Sequence, residues 1–170
     1  MQATERDNRH SFALEKTSKW WILNVTLVFM AKPSDVKSQM TALYADLAQR
    51  PIERSCTMLT ECCQFHLTGK TPMLTKGEAI HAAVGVRASG KKKLPETDGG
   101  CPMLGRNGRC TIYQHRPFGC RTHFCAAAGG PYPRKQVADL IQRLEALDEE
   151  LGGDGPRPIQ RAVADALAAM

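Results

Sequence analysis

The apolar positions of the chain predict a mostly helical protein. Three stretches, 34–49, 76–89 and 134–151, repeat apolar residues at the spacing that gives a helix one buried face. A weaker pattern of the same kind begins at Pro158 and runs to the end of the chain. We expect the three strong stripes to pack against one another in a small helical domain, with the loops between them gathered at one end.

Short signals mark the ends of these helices. Ser34 is placed to cap the first helix, and Pro51 follows it as a stop. Thr75 and Glu78 have the spacing of a capping box, in which each side chain accepts a hydrogen bond from the other residue's backbone N–H. Gly152 follows the third helix and suits its C-terminal cap.

The segments between the helices predict turns and loops. Residues 56–71 show no period and predict a loop. The pair Asn107-Gly108 favours a tight turn. It predicts a short hairpin, or an irregular knuckle like it, with Cys101 and Cys110 at its two ends. We therefore expect the cysteines to lie on loops between helices.

Residues 1–30 differ from the rest of the chain. A polar and charged segment is followed by an apolar run, Trp20 to Ala31, that is interrupted by Asn24 and Thr26. A bilayer-spanning helix needs about 20 apolar residues, so this run is too short to cross a membrane. A signal-peptide core fits the length, but no small-x-small cleavage site follows. A translation start at Met30 is the interpretation we favour, with 1–30 a tail without function.

The remaining chain is then divided into a metal-binding domain and a short extension. We assign 31–151 to a cysteine-cluster domain and 152–170 to a C-terminal helical tail. The full length of 170 residues suits one domain, and 42% apolar with 24% charged residues is ordinary for a globular protein. Only 6% of the residues are aromatic, so the core must rest on aliphatic side chains.

The net charge of +6 raises the possibility of a nucleic-acid partner. The basic residues are scattered, however, apart from Lys91 to Lys93, which lie in a loop without aromatic residues to stack on bases. This pattern is typical of a solvated loop. We do not expect nucleic acid to be the partner.

Seven cysteines carry the candidate chemistry. An odd number argues against a closed disulfide framework. In a reducing compartment, clustered thiols indicate metal ligands or redox groups, and we therefore expect a cytoplasmic protein. The candidate metal ligands are Cys56, Cys62, Cys63, Cys101, Cys110, Cys120 and Cys125.

The neighbours of the cysteines refine this prediction. Thiolates are soft donors that suit zinc and iron. The nearby arginines, Arg106, Arg109, Arg116 and Arg121, are expected to favour thiolate over thiol. His123, between the last two cysteines, is our candidate for a nitrogen ligand, ahead of His66 and His115. Cys62 and Cys63 are adjacent, and neighbouring side chains diverge. They suit a polynuclear centre, two nearby sites, or one ligand beside one redox thiol.

The motifs resemble those of a known family. The segment from Cys56 to Cys63, and the pattern C-x-I-Y-x-x-R-P-x-x-C-R from Cys110 to Arg121, are similar to the YkgJ-like (CxxCxxCC) zinc- or iron-chelating proteins. These are often labelled Fe–S-cluster-containing proteins. The family's first motif is C-x2-C-x2-C-C, and its second cysteine falls on Leu59 here. Cys125 or His123 is then the replacement ligand. The resemblance implies an iron–sulfur cluster, of the 4Fe–4S type, or zinc.

Three classes of function remain open from the sequence. We favour a metal-binding accessory protein that transfers its metal, uses the metal to dock a protein partner, or serves a redox role, and that has no membrane partner. A zinc-stabilised module that binds protein or nucleic acid is the alternative. An enzyme is the third class, because a related cysteine-cluster domain occurs in some lysine-methylating flagellar enzymes. The chain has no glycine-rich cofactor loop to support an enzyme, although Cys62 and Cys63 could serve a redox reaction.

Overall fold

The computed structural model describes residues 33–54, 56–57 and 59–170. Residues Ala31–Met170 form one compact unit. The predicted tail, 1–30, lies outside the described residues, and so do the side chain of Ser34 and its predicted cap. In the described ranges no helix has the length and apolar content needed to cross a membrane.

The described part of the chain is mostly helical, as the sequence predicts. Its α-helices are α1 Pro33–Ala48, α2 Phe65–Thr68, α3 Lys76–Ala88, α4 Phe118–Thr122, α5 Ala138–Glu150 and α6 Ile159–Ala168. Two short strands, β1 Met73–Leu74 and β2 Arg157–Pro158, pair antiparallel. Short 3-10 turns lie at Glu61–Cys63, Tyr113–His115, Ala126–Ala128 and Arg134–Gln136.

The three predicted helices pack against one another, but their apolar stripes are divided between two core clusters. Helices α1 and α5 supply most of the buried side chains of the first cluster, and Ile80 of α3 packs against it. The contact between α3 and α5 is close: a Cβ atom at Gly77 would lie 2.9 Å from Cδ2 of Leu147. The main members of the cluster are Val36, Met40, Leu43, Leu47, Leu140, Leu144 and Leu147.

A second core cluster joins the other face of α3 to α6 and to the cysteine region. Helix α3 presents Ala79, Ala82 and Ala83, small residues that allow a neighbouring helix to approach closely. Helix α6 supplies Ile159, Val163 and Leu167, and the cysteine region supplies Cys101, Met103 and Ile112. The knuckle that bears cysteines is therefore anchored in the same core as the last helix.

The start of α3 is fixed by two buried carboxylates. The predicted capping box is present, and Thr75 donates its backbone N–H to Oε2 of Glu78 at 3.0 Å. Asp148 of α5 accepts the backbone N–H of Lys76 at 2.6 Å and that of Gly155 at 2.9 Å. A carboxylate in this position also favours the positive end of the helix dipole. Helix α3 is thereby locked to α5 and to the turn after it.

Two local predictions need revision. The stretch 56–71, predicted as a loop, contains the Glu61–Cys63 turn and helix α2. Cys120, predicted to lie on a loop, belongs to α4, because Pro117 precedes that helix and Glu78 accepts the N–H of Phe118 at 2.8 Å. These helices are too short to show a periodic apolar pattern, because their stability comes from tertiary contacts with other segments.

Candidate metal centre

The cysteines gather around two neighbouring cavities. The larger, which we call the inner cavity, has a volume of about 400 Å³, and five thiol residues line it: Cys56, Cys62, Cys63, Cys110 and Cys120. The smaller, which we call the rim cavity, has a volume of about 30 Å³, and its candidate donors are Cys56, Cys62, Cys120, Cys125 and His123. Three cysteines thus face both spaces.

The Cys62-Cys63 pair is positioned by a reversal of the chain. Thr60 adopts a left-handed conformation, with φ at 58°, immediately before the 3-10 turn that carries the pair. Cys63 then accepts the backbone N–H of Cys101 at 2.7 Å. Cys101 itself is buried in the core and is not among the residues that line the two cavities. It lies behind Cys63 and supports it.

Cys110 is held by the predicted knuckle. An antiparallel bridge pairs Leu104 with Cys110, and Thr111 donates its N–H to the carbonyl of Met103 at 2.8 Å. The turn is closed by the side chain of Asn107, whose Oδ1 accepts the N–H of Arg109 at 3.1 Å. Gly108 has a φ of +71°, which explains why an Asn-Gly pair stands here. The structure therefore has the irregular form of the predicted hairpin, with Leu104 rather than Cys101 paired with Cys110.

The two arginines of the motif from Cys110 to Arg121 form hydrogen bonds to backbone carbonyls and also carry charge. Arg121 donates its Nε–H to the carbonyl of Arg116 at 2.7 Å, and its guanidinium lies 4.0 Å from the centre of the Tyr44 ring. Arg116 donates to the carbonyl of Tyr113 at 3.2 Å and stacks on that ring at 3.8 Å. Together they fix the turn that leads into α4 and so place Cys120. The sequence indicated their charge but not this role.

Burial makes the thiols weaker acids than usual. It raises the pKa of Cys120 to about 12 and also raises the pKa of Cys110. Hydrogen bonding with Cys101, together with burial, raises the pKa of Cys63 to about 12. The effect of Arg116 on the pKa of Cys110 has the expected direction but is outweighed by burial. A metal ion that binds these thiols would therefore have to displace their protons.

The ligand atoms are of the type that zinc and iron prefer, but the cysteine side chains must come closer together to bind a metal. Five thiols on one cavity are the soft ligands that these metals prefer. As the described side chains stand, no three Cys, His, Asp or Glu residues form a group that could hold a metal ion. Binding therefore needs the cysteine segments to move inward around the metal. Cys56 lines both cavities and is exposed.

Of the candidate histidines, His123 alone lines one of the two cavities described above. His66 packs beside Gly99, where an added Cβ would lie 3.0 Å from it. His115 packs against Gly85, and its ring centre is 4.9 Å from that of His81. Neither is brought to the inner or the rim cavity. His123 is thus the candidate histidine that lies beside the cysteines of the rim cavity.

Comparison with known proteins found a match to one family model. Residues 54–144, more than half of the chain, match the family model named CxxCxxCC, which is described as "Putative zinc- or iron-chelating domain". A search of curated proteins and a search of solved structures each found no match. The matched range contains all seven cysteines and both cavities' candidate ligands.

Proposed function

The chain belongs to the CxxCxxCC family of zinc- or iron-chelating domains, and from that premise we propose that it holds an iron–sulfur cluster, of the 4Fe–4S type, in the inner cavity. The proposed ligands come from Cys62, Cys63, Cys110 and Cys120, with Cys101 in support behind Cys63. Zinc in the same place is the competing identity. The cluster, when bound, supplies electron transfer or transferable iron and sulfide.

The size and lining of the inner cavity support a cluster over a single ion. About 400 Å³ is far more than one ion occupies, since a cavity of about 10–15 Å³ already admits a water molecule. Cys62 and Cys63 both line this space. Adjacent residues rarely bind one tetrahedral ion, because their side chains diverge, but they can serve different atoms of a larger centre. This pair is the observation that carries the proposal.

The surroundings of the two cavities support a role in which the protein delivers metal or electrons to another protein, which we call the service role. Leu59 and Tyr113 border the cavities and are 53% and 44% exposed, so apolar surface is offered beside the thiols. Cys56 is exposed as well. A partner that docks here would reach the metal directly. We therefore propose metal transfer or electron transfer to a protein partner in the cytoplasm, rather than catalysis on a small substrate.

The test is the identity of the metal. The full chain is isolated without oxygen, and iron, acid-labile sulfide and zinc are measured together with the visible absorption spectrum. The proposal predicts a brown protein with iron and sulfide in equal amounts. A colourless protein with zinc and no sulfide would contradict it and favour a zinc-stabilised binding module.

The transfer and electron-transfer roles can then be separated. A bound cluster that is reduced and reoxidised repeatedly without loss of iron supports electron transfer. A cluster that passes to a competing iron chelator or to a cluster-free acceptor protein supports metal transfer. A cluster that does neither contradicts the service role.

A further inference from the structure

The rim cavity differs from the inner cavity in size and in donors. Its volume of about 30 Å³ suits a single ion or water molecule. Cys125 and His123 line this cavity and not the inner one, and Cys56 lies between the two. Arg116 also lines it. The space therefore has the donor types of a mononuclear metal site. Its donors must move closer together to hold an ion, because as they stand no three of the described Cys, His, Asp or Glu residues form a metal-holding group.

The fold brings Cys56 to Cys125 by a clamp between two distant segments. The hydroxyl of Tyr132 donates to the carbonyl of Ile52 at 3.1 Å, and Nε of Arg54 donates to the carbonyl of Gly130 at 3.2 Å. At the end of the clamp, Oγ1 of Thr57 lies 3.6 Å from Sγ of Cys125. These bonds fix both sides of the rim cavity, and they do not involve the ligands of the inner one.

The Arg54 side of the clamp is closely fitted. Gly129 has a φ of +93°, and a Cβ atom there would lie 2.9 Å from Nε of Arg54. Only glycine avoids both the strained backbone and the clash. The turn that follows Cys125 is thus shaped around the arginine from the opposite segment.

The segment that bears His123 and Cys125 lies along the rim cavity. Both residues have extended backbone conformations, and both line the cavity together with Phe124 between them. The ring of Phe124 stacks on Tyr132, with ring centres 5.6 Å apart. The stacking anchors the segment that supplies the two donors.

We propose that the rim cavity is a second metal site that takes one divalent ion of the zinc class. Cys56, Cys125 and His123 are its protein ligands, and a water molecule completes the set of four. Two sulfur donors and one nitrogen, with water in the fourth position, form a known tetrahedral zinc set. This inference rests on the proposed function only in that the inner centre leaves Cys56, which lines both cavities, to the rim site. It assigns His123 the place of the family cysteine that Leu59 has replaced.

Cobalt(II) is the probe, because its bonds to thiolates absorb visible light and it follows zinc in ligand preference. The full chain is first assayed for iron and sulfide, and then titrated with Co(II) without oxygen. Cys125→Ser and His123→Ala are the test variants. His66→Ala is the matched control, since His66 is exposed and does not line the rim cavity. Cys110→Ser removes an inner ligand instead.

The wild-type chain is expected to take up one Co(II) in addition to its inner metal. Cys125→Ser and His123→Ala should weaken this binding by at least about tenfold and keep the iron and sulfide content, because they spare the inner ligands. Cys110→Ser should do the reverse, and His66→Ala should match the wild type. Equal loss of iron and of Co(II) in Cys125→Ser and Cys110→Ser would overturn the second site, as would unchanged Co(II) affinity in both rim variants.

The two proposals fail in different ways. Absence of iron and sulfide from the wild-type chain contradicts the cluster in the inner cavity. The rim site is still decided by the difference in Co(II) affinity between the wild type and the Cys125→Ser and His123→Ala variants.

Discussion

Oε1 of Glu78 accepts the backbone N–H of Phe118 at 2.8 Å, across forty positions of sequence. The other carboxylate oxygen accepts both the backbone N–H and the hydroxyl of Thr75, at 3.0 and 2.9 Å. One buried side chain therefore ties the start of α3 to the start of α4. Because α4 carries Cys120, this carboxylate positions part of the metal centre without touching it.

The variant Glu78→Gln tests that link. An amide has one oxygen, so one of the three donors loses its acceptor in a site that is 3% exposed. A buried donor left without a partner costs about 1–3 kcal/mol. We expect the free energy of unfolding to fall by that amount and the metal affinity to fall with it, as measured by chemical unfolding and by metal competition. Glu145→Gln, at an exposed position of α5, is the control, and equal behaviour of the two variants would argue against the link.

This relationship also shows how far the sequence can be interpreted. The capping box could be predicted because Thr75 and Glu78 are three positions apart. The bond to Phe118 could not, because it depends on how two distant segments meet. The same reason hides the pairing of Met73 with Pro158. Local spacing predicts helices and their caps, whereas the contacts that place α4 arise only in the assembled core.

Asp148 provides a second test of how α3 is held. Asp148→Ala leaves the backbone N–H groups of Lys76 and Gly155 without their acceptor. Each loss costs about 1–3 kcal/mol when the group stays buried. We expect a lower melting temperature in thermal unfolding. Glu149→Ala, the exposed neighbour, should leave the melting temperature nearly unchanged; a similar loss in both variants would contradict the role of Asp148.

Acid should weaken the fold through His81. Burial lowers the pKa of His81 from 6.5 to about 4, and the positive charges of Arg121 and Lys37, with His115, act in the same direction. Between those two pH values the unfolded chain binds a proton that the folded chain does not. The free energy of unfolding therefore falls as the pH falls below 6.5 and is fully reduced below about 4. Near pH 5 the loss is on the order of 1–2 kcal/mol.

The variant His81→Phe removes this contribution. Nε2 of His81 has no hydrogen-bond partner among the described residues, and the ring packs edge-on against Tyr44 with centres 5.3 Å apart. A phenyl ring keeps this packing and gives up the hydrogen bond of His81 with the backbone of Gln114. Unfolding measured from neutral to acidic pH should show a shallower decline than in the wild type. His66→Phe, at an exposed site, should keep the wild-type slope. An unchanged slope in His81→Phe would show that other groups cause the acid sensitivity.

Leu144 tests the packing of the predicted stripes. It is 4% exposed in the cluster that joins α1 and α5. Leu144→Asp places an unpaired charge there, which should cost more than about 3 kcal/mol or prevent folding. Gln142→Asp, at an exposed position of the same helix, should fold normally. Circular dichroism and thermal unfolding make the comparison, and equal stability of the two would place the stripe on the surface.

The sequence could predict which residues gather at the candidate site better than it could predict how they are arranged there. The cysteines are clustered in the sequence and odd in number, which indicated that they act together as metal ligands. All of them except Cys101 line the two cavities. The division between an inner and a rim cavity could not be predicted, because it depends on the clamp from Arg54 and Tyr132, side chains with no metal-binding chemistry. The raised pKa values were missed for a related reason: charge can be counted in a sequence, but burial cannot.

The most direct test of the central claim is the amount of metal bound by Cys110→Ser. The full chain, Cys110→Ser and the matched control Thr111→Ser are isolated without oxygen, and their metal content is measured by native mass spectrometry. Thr111→Ser keeps the hydroxyl that donates to Met103 at 3.0 Å, so it should bind as the wild type does. We expect Cys110→Ser to lose the metal of the inner cavity and to melt at a lower temperature, because metal binding and folding are coupled. Full metal content and unchanged melting in Cys110→Ser would contradict the assignment of these cysteines as a metal centre.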